Sequence, residues 1–261
     1  MIETRPPAVA GVFYPAQRQE LENMVRGFLA WEEDPGAKPK ALIVPHAGYT
    51  YSGPIAASAY SRLIGSRSTI KRVVLLGPAH RLGFSGLAAS SADAFVTPLG
   101  EVPVDTDSVR KALKLPQVQY LDAAHAQEHS LEVHLPFLQL ILDDFQLVPF
   151  VVGDAKPDEV DQVLEILWGG PETLIVISSD LSHYHDYQTA RSLDSATSAA
   201  IESLRPEDIL YEHACGRNPV NGLLVAARKH GLQATAVDVR NSGDTAGAKD
   251  RVVGYGAYVF Q

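Results

Sequence analysis

Two stretches of this chain, Ala41-Leu42-Ile43-Val44-Pro45-His46 and Val73-Val74-Leu75-Leu76-Gly77-Pro78-Ala79-His80, share one plan. In each, an unbroken apolar run stops at a proline or glycine, and a histidine follows. A third stretch, Leu174-Ile175-Val176-Ile177 followed by Ser178-Ser179-Asp180-Leu181-Ser182-His183, ends its apolar run at serine instead and is also followed by a histidine. Short apolar runs without polar alternation suit strands buried on both faces, the usual state of strands in a helix-covered parallel sheet. Further strands are predicted at Leu147 to Val152 and Gly254 to Phe260, with a weaker one inside Ala88 to Val96. Helical periodicity places helices at Gln17 to Trp31, Ser52 to Leu63, Asp158 to Trp168, Thr189 to Leu204 and Val220 to His230. Strands alternating with helices predict an α/β fold with a central, mostly parallel or mixed sheet flanked by helices.

The chain has 261 residues, of which 46% are apolar and 20% charged, so it can bury a large core. No repeat or low-complexity tract divides it. The polar stretch Glu32 to Lys40 reads as a loop inside one domain, residues 1–261. The formal charge of −9 makes the chain a poor partner for phosphate backbones and for anionic membranes. Its single cysteine, Cys215, excludes an internal disulfide and any zinc module built on two or more cysteines. No apolar run is long enough to span a bilayer, and residues 1–15 lack the apolar core of a signal peptide, so a cytoplasmic location is expected.

The chemistry sits just past the strands. Ligand sites in open α/β sheets form beyond the carboxyl ends of strands. Three parallel strands would therefore deliver His46, His80 and His183 to one edge. A single histidine there is commonly a cap or a solvated residue; three together point to a shared task. Imidazole suits first-row metals, and Cys215 could add a thiolate, its alternative being a small buried hydrophobe. His125 and His129, four apart, would share one face of a helix, a spacing that also arises by chance. Leu131, Leu135, Leu138 and Leu142 form a helical core face that Pro136 kinks or starts. Tyr49 and Tyr51 either line a pocket or pack as aromatics; Arg217 either steadies an anion or caps a helix. No nucleophile-elbow or P-loop motif is present.

Five motifs then carry a resemblance: Pro45-His46-Ala47-Gly48-Tyr49, Gly77-Pro78-Ala79-His80, Glu128-His129-Ser130-Leu131-Glu132-Val133-His134-Leu135-Pro136, Ser178-Ser179-Asp180-Leu181-Ser182-His183 and Cys215-Gly216-Arg217. In this order, from Pro7 to the C-terminus, the chain resembles the Memo family, which is also protein B of the AmmeMemoRadiSam system. The resemblance implies a fold similar to class III (LigB-type) extradiol dioxygenases, which use non-haem Fe(II). It implies His46, His80 and Cys215 as metal ligands, with His129, His183 and Asp180 as catalytic groups and Tyr49, Glu128, His134 and Arg217 around the pocket. One departure is that the dioxygenases complete their triad with a carboxylate, whereas the third ligand that the resemblance implies here is Cys215. The reaction therefore does not follow from the fold.

Four functions are consistent with these residues. The first is a redox-type metal protein, with Fe(II) the leading cofactor and copper or zinc as alternatives, acting on a small molecule or O₂. The second is a non-catalytic binding module that accepts a peptide or acts beside radical SAM and Amme-type partner proteins. Eukaryotic relatives are linked to phosphotyrosine peptides, a ligand that the −9 charge disfavours here. The third is a ring-cleaving dioxygenase and the fourth a zinc hydrolase.

Overall fold

A computed structural model describes residues 3–29 and 38–261. Along the chain the elements are β1 (Thr4–Arg5), α1 (Arg18–Leu29), β2 (Ala41–Val44), α2 (Tyr49–Tyr60), β3 (Arg72–Pro78), β4 (Leu87–Ala89), β5 (Ala94–Thr97) and β6 (Gly100–Pro103). Next come α3 (Thr106–Ala112), β7 (Val118–Tyr120), α4 (Asp122–Ala126), α5 (Leu135–Ile141), β8 (Gln146–Val152), α6 (Pro157–Leu167) and β9 (Thr173–Ser178). The chain ends with β10 (His183–His185), α7 (Tyr187–Glu202), α8 (Arg217–Lys229), β11 (Ala234–Asn241) and β12 (Val252–Phe260). The loop predicted from Glu32 lies outside the described residues up to residue 37, as do the last two residues of the helix predicted to Trp31.

The apolar runs become the centre of the sheet. Among the described residues its order is β10-β12-β2-β9-β3-β8-β4-β7, with β11 also paired to β12. Neighbours β2, β9, β3 and β8 are all parallel. Every residue of β2 and β9 is buried, as are all of β3 but Arg72 and all of β8 but Gln146. Such strands have a hydrocarbon layer on both faces, which explains why they carry no polar alternation. Antiparallel pairs at both flanks, β12 on β2 and β4 on β8, make the sheet mixed. Helices α1, α2 and α5 pack together with α2 on β2, β11 and β12. Helices α3, α6 and α8 form a second group, with α8 on β3 and β9. The fold is thus α/β, a mixed sheet flanked by helices. No helix among the described residues is long and apolar enough to cross a membrane.

Departures from expectation have local causes. The stretch Ala88 to Val96 yields two strands in different sheets: β4 joins the main one, and β5 pairs with β1 and β6 in a small one. The break falls where the Ser90 and Ser91 hydroxyls and the Ser91 amide donate to Asp122. Helix α2 starts at Tyr49 rather than Ser52, its first amide donating to the Phe13 carbonyl at 2.8 Å. Helix α4 stops at Ala126, so His125 and His129 do not share a helical face.

What the topology does for function lies at one edge. Val44 is registered with Ser178, and Leu76 with Ile177. The chain therefore leaves β2, β9 and β3 side by side, and β9 separates two strands that are consecutive in the parallel set. Loops that part at such a point leave a crevice between them.

Candidate metal centre

His46 sits just past β2 and is 2% exposed. Its amide donates to Asp180 Oδ1 at 2.7 Å. The Ser178 hydroxyl, at the end of β9, donates its single hydrogen to the Ser130 carbonyl at 2.6 Å. The 2.6 Å contact between His46 Nδ1 and Ser178 Oγ must then be donated by the ring. This leaves the lone pair on Nε2, which faces Cys215 Sγ at 3.2 Å. Burial, reinforced by the neighbouring histidines, pushes the His46 pKa well down, so the ring is neutral and able to ligate.

His80 is held in the same way by a different acceptor. Its Nδ1 lies 2.8 Å from Glu128 Oε1, and its amide donates to Oε2 at 2.6 Å. The amides of His129 and Ser130 donate to Oε1 at 2.9 and 3.0 Å. Burial alone would raise the Glu128 carboxyl, but the His80 ring and the amides of His80 and Ser130 outweigh it and hold it at about 2. An ionised carboxylate can only accept, so His80 Nδ1 carries hydrogen, and Nε2 is the ring nitrogen this contact does not engage. Carboxylate–histidine pairs of this kind orient metal ligands and raise their basicity. Glu128→Gln presents an N–H to one of these donors. It is expected to lower metal affinity roughly 10–100-fold, measured by competition with a chelator, while the fold is retained.

Cys215 arrives from the turn before α8. Its sulfur accepts from the Asp180 amide at 3.3 Å. Burial, and then the neighbouring Asp180, raise the thiol pKa, so in the metal-free protein the sulfur is protonated. A cation reverses this, because coordination displaces the proton. The turn allows no side chain at Gly216, where a Cβ would lie 2.5 Å from the Ser178 carbonyl and 2.6 Å from Ser179 Cβ. Gly216→Ala is expected to cost about 1–3 kcal/mol, read from the urea midpoint, and to displace the sulfur.

One ligand atom from each of His46, His80 and Cys215 lies within 4.8 Å of the others. With ligand bonds of ~2.1 Å for nitrogen and ~2.3 Å for sulfur, an ion's donors stand roughly 3–4 Å apart. The set therefore fits one ion with little rearrangement. His80, Glu128 and His129 form a second close group, but all the acceptor contacts just described already engage Glu128. His129 instead stacks on the His80 ring at 4.7 Å and meets His46 edge-on at 5.4 Å.

These groups form the floor of a cavity of about 630 Å³, lined also by Phe13, His129, Asp180, His183, Tyr184 and Tyr211. Burial lowers the His129 pKa to about 4, and its Nδ1 has no hydrogen-bond partner. His183 Nδ1 donates to the Leu181 carbonyl at 2.8 Å, a contact that does not engage Nε2. Burial pushes the Asp180 carboxyl up to about 6. Phe13 stands 4.6 Å from His129 and belongs to an N-terminal strap. Buried Glu132 clamps that strap, accepting from the amides of Ala8 and Val9, the Tyr14 hydroxyl and the Arg5 guanidinium.

Not all the residues expected at the pocket reach it. Tyr49 is buried in the core, its hydroxyl donating to the Val133 carbonyl at 2.6 Å, because the helix begins with it facing inward. His134 is fully buried against the Tyr60 hydroxyl at 2.8 Å, and burial lowers its pKa to about 3. Glu128 lies beneath His80 rather than on the cavity wall. His125 donates to the Ala88 carbonyl at 2.9 Å, away from the cavity. Arg217 lines an adjoining cavity. Ser178 and Ser130, which set the His46 tautomer, lie within the motifs, but no local sequence pattern marks that role. Phe13 and Tyr211 join the cavity from segments that carry none of the motifs.

The chain matches the family model described as "Memo-like protein" over residues 5–259. It is 37% identical to a MEMO1 family protein of Aquifex aeolicus over 99% of this chain and 100% of that one. It is 38% identical to a MEMO1 family protein of Aeropyrum pernix, covering 98% and 99%. The fold is similar to that of an uncharacterized protein of Escherichia coli K12, with TM-score 0.52 and 14% identity over 82% of this chain and 98% of that one. Matched along nearly its whole length, the chain belongs to the Memo family.

Proposed function

We propose that this chain is a redox-type metal protein in which His46, His80 and Cys215 hold a non-haem iron or copper ion at the floor of the cavity. The observation that carries the reading is the preparation of the donors. Both imidazoles have Nδ1 engaged by a fixed acceptor, His46 turns Nε2 towards the Cys215 sulfur at 3.2 Å, and a ring nitrogen of His80 lies within 4.8 Å of both. A bound ion of this kind supplies one-electron chemistry and open positions for a small ligand.

The protein's own groups do the rest. His129, neutral and packed between Phe13 and His80, accepts a proton at the cavity wall. His183 offers its Nε2 to a substrate proton and returns it. Asp180 holds the His46 and Cys215 loops together through one carboxylate contact and one amide contact. Elemental analysis of untagged protein tests the proposal, with about one equivalent of iron or copper per chain expected. Anaerobic loading with Fe(II), followed by catechol and air, separates it from ring cleavage. A yellow product would replace the redox reading with that of a dioxygenase.

A further inference from the structure

A second cavity, of about 550 Å³, shares His80, Tyr211 and Cys215 with the first. His80 and Cys215 therefore stand where the two spaces meet, while His46 lines only the first. The second is lined by Arg81 and Arg217, with Leu82 and Phe84 supplying apolar surface and Asp154 the one carboxylate. In a chain of charge −9, Arg5, Arg67, Arg72 and Arg228 each reach a carboxylate. Arg81 and Arg217 do not. Arg217 bonds only to the neighbouring Asn218 amide oxygen and lies over the Tyr211 ring. Arg81 has no hydrogen bond or ion pair among the described residues. Arg217 is also the first residue of α8, whose N-cap, Gly216, supplies no capping side chain, so the positive end of the helix adds to the two guanidiniums.

Two guanidiniums without a carboxylate partner beside apolar surface, in a space the size of a small-molecule site, match a ligand with an oxyanion at one end and hydrocarbon next to it. We infer that this second cavity is the subsite for the carboxylate or phosphate of the small molecule whose reactive end reaches His46, His80 and Cys215. The placement of the reactive end rests on the proposed metal function; the anionic end rests on the arginines alone. A neutral isostere is rejected because it leaves both guanidiniums without a counter-charge.

Benzoate and phenylphosphate, with benzamide as the neutral control, are titrated calorimetrically into the full chain as purified and after chelation. At least one anion is expected to bind ten times more tightly than benzamide, with or without metal; the tighter of the two identifies the oxyanion. Arg81→Gln and Arg217→Gln are each expected to weaken that anion at least tenfold while leaving benzamide binding and metal content unchanged. Arg81 is exposed, so its variant tests the point without disturbing the core. Equal binding of the anions and benzamide, or a less than twofold change in both variants, overturns the inference. Anion binding that is lost with the metal but kept in the arginine variants also overturns it, leaving the metal reading intact. Arginine-dependent binding in a protein that takes up no metal overturns the metal reading alone.

Discussion

On the proposed metal function, His46→Ala, His80→Ala and Cys215→Ser are each expected to retain less than a tenth of the wild-type metal content after dialysis. The reason lies in how few donors the chain supplies. Four-donor zinc sites bind with roughly 10–16 kcal/mol, about 3–4 kcal/mol per donor, so losing one of three weakens binding by roughly 10²–10³-fold. Each substitution also strands a partner. Without the His46 ring, Ser178 Oγ loses its donor; without the His80 ring, Glu128 is left as a buried carboxylate short of one bond. Plasma emission spectrometry on untagged protein gives the content, and circular dichroism confirms that each variant is folded. If His46→Ala and Cys215→Ser both keep wild-type metal, these side chains do not hold it.

Removing Glu132 should produce the largest loss of stability. Its carboxylate is fully buried and pairs with Arg5, whose side chain is itself only 5% exposed. Arg5 also donates to the His125 carbonyl at 3.0 and 3.1 Å and to the Glu128 carbonyl, joining the N-terminal strap to the loop that presents His80's partner. Breaking a buried pair by deleting one member leaves an uncompensated charge and costs about 3–5 kcal/mol. Glu132→Ala is therefore expected to lower the melting temperature by roughly 6–20 °C, at about 2–4 °C per kcal/mol for a chain of this size. Exchanging both partners, Arg5→Met with Glu132→Leu, should cost less than the single change, because no charge is then stranded. A loss below about 1 kcal/mol for Glu132→Ala would show that the pair is not the anchor.

The buried parallel strands were readable because burial on both faces leaves a continuous apolar run, as in Leu174 to Ile177. Strand β11 was not, since it lies at the sheet edge, half-exposed, and carries Asp238 and Arg240 paired with each other. Edge strands tolerate such charges, which mask the strand pattern. The convergence of His46, His80 and Cys215 followed from motifs at strand ends and from family resemblance, and the geometry brings them together. The direction each side chain faces was less visible. Tyr49 and His134 lie within family motifs yet point into the core, because helix start and rotation are fixed by partners such as Phe13 and Tyr60. The role of Ser178 depends on Ser130, far away in sequence, and no local pattern can announce it.

The strap that carries Phe13 is tied down by the same carboxylate that satisfies the Ala8 and Val9 amides. Moving that wall aside thus means exposing two protected amides to solvent, a local opening with its own free energy. Whatever fills the cavity against Phe13 will slow deuterium uptake at those two positions, so occupancy can be followed by isotope exchange far from any reacting atom.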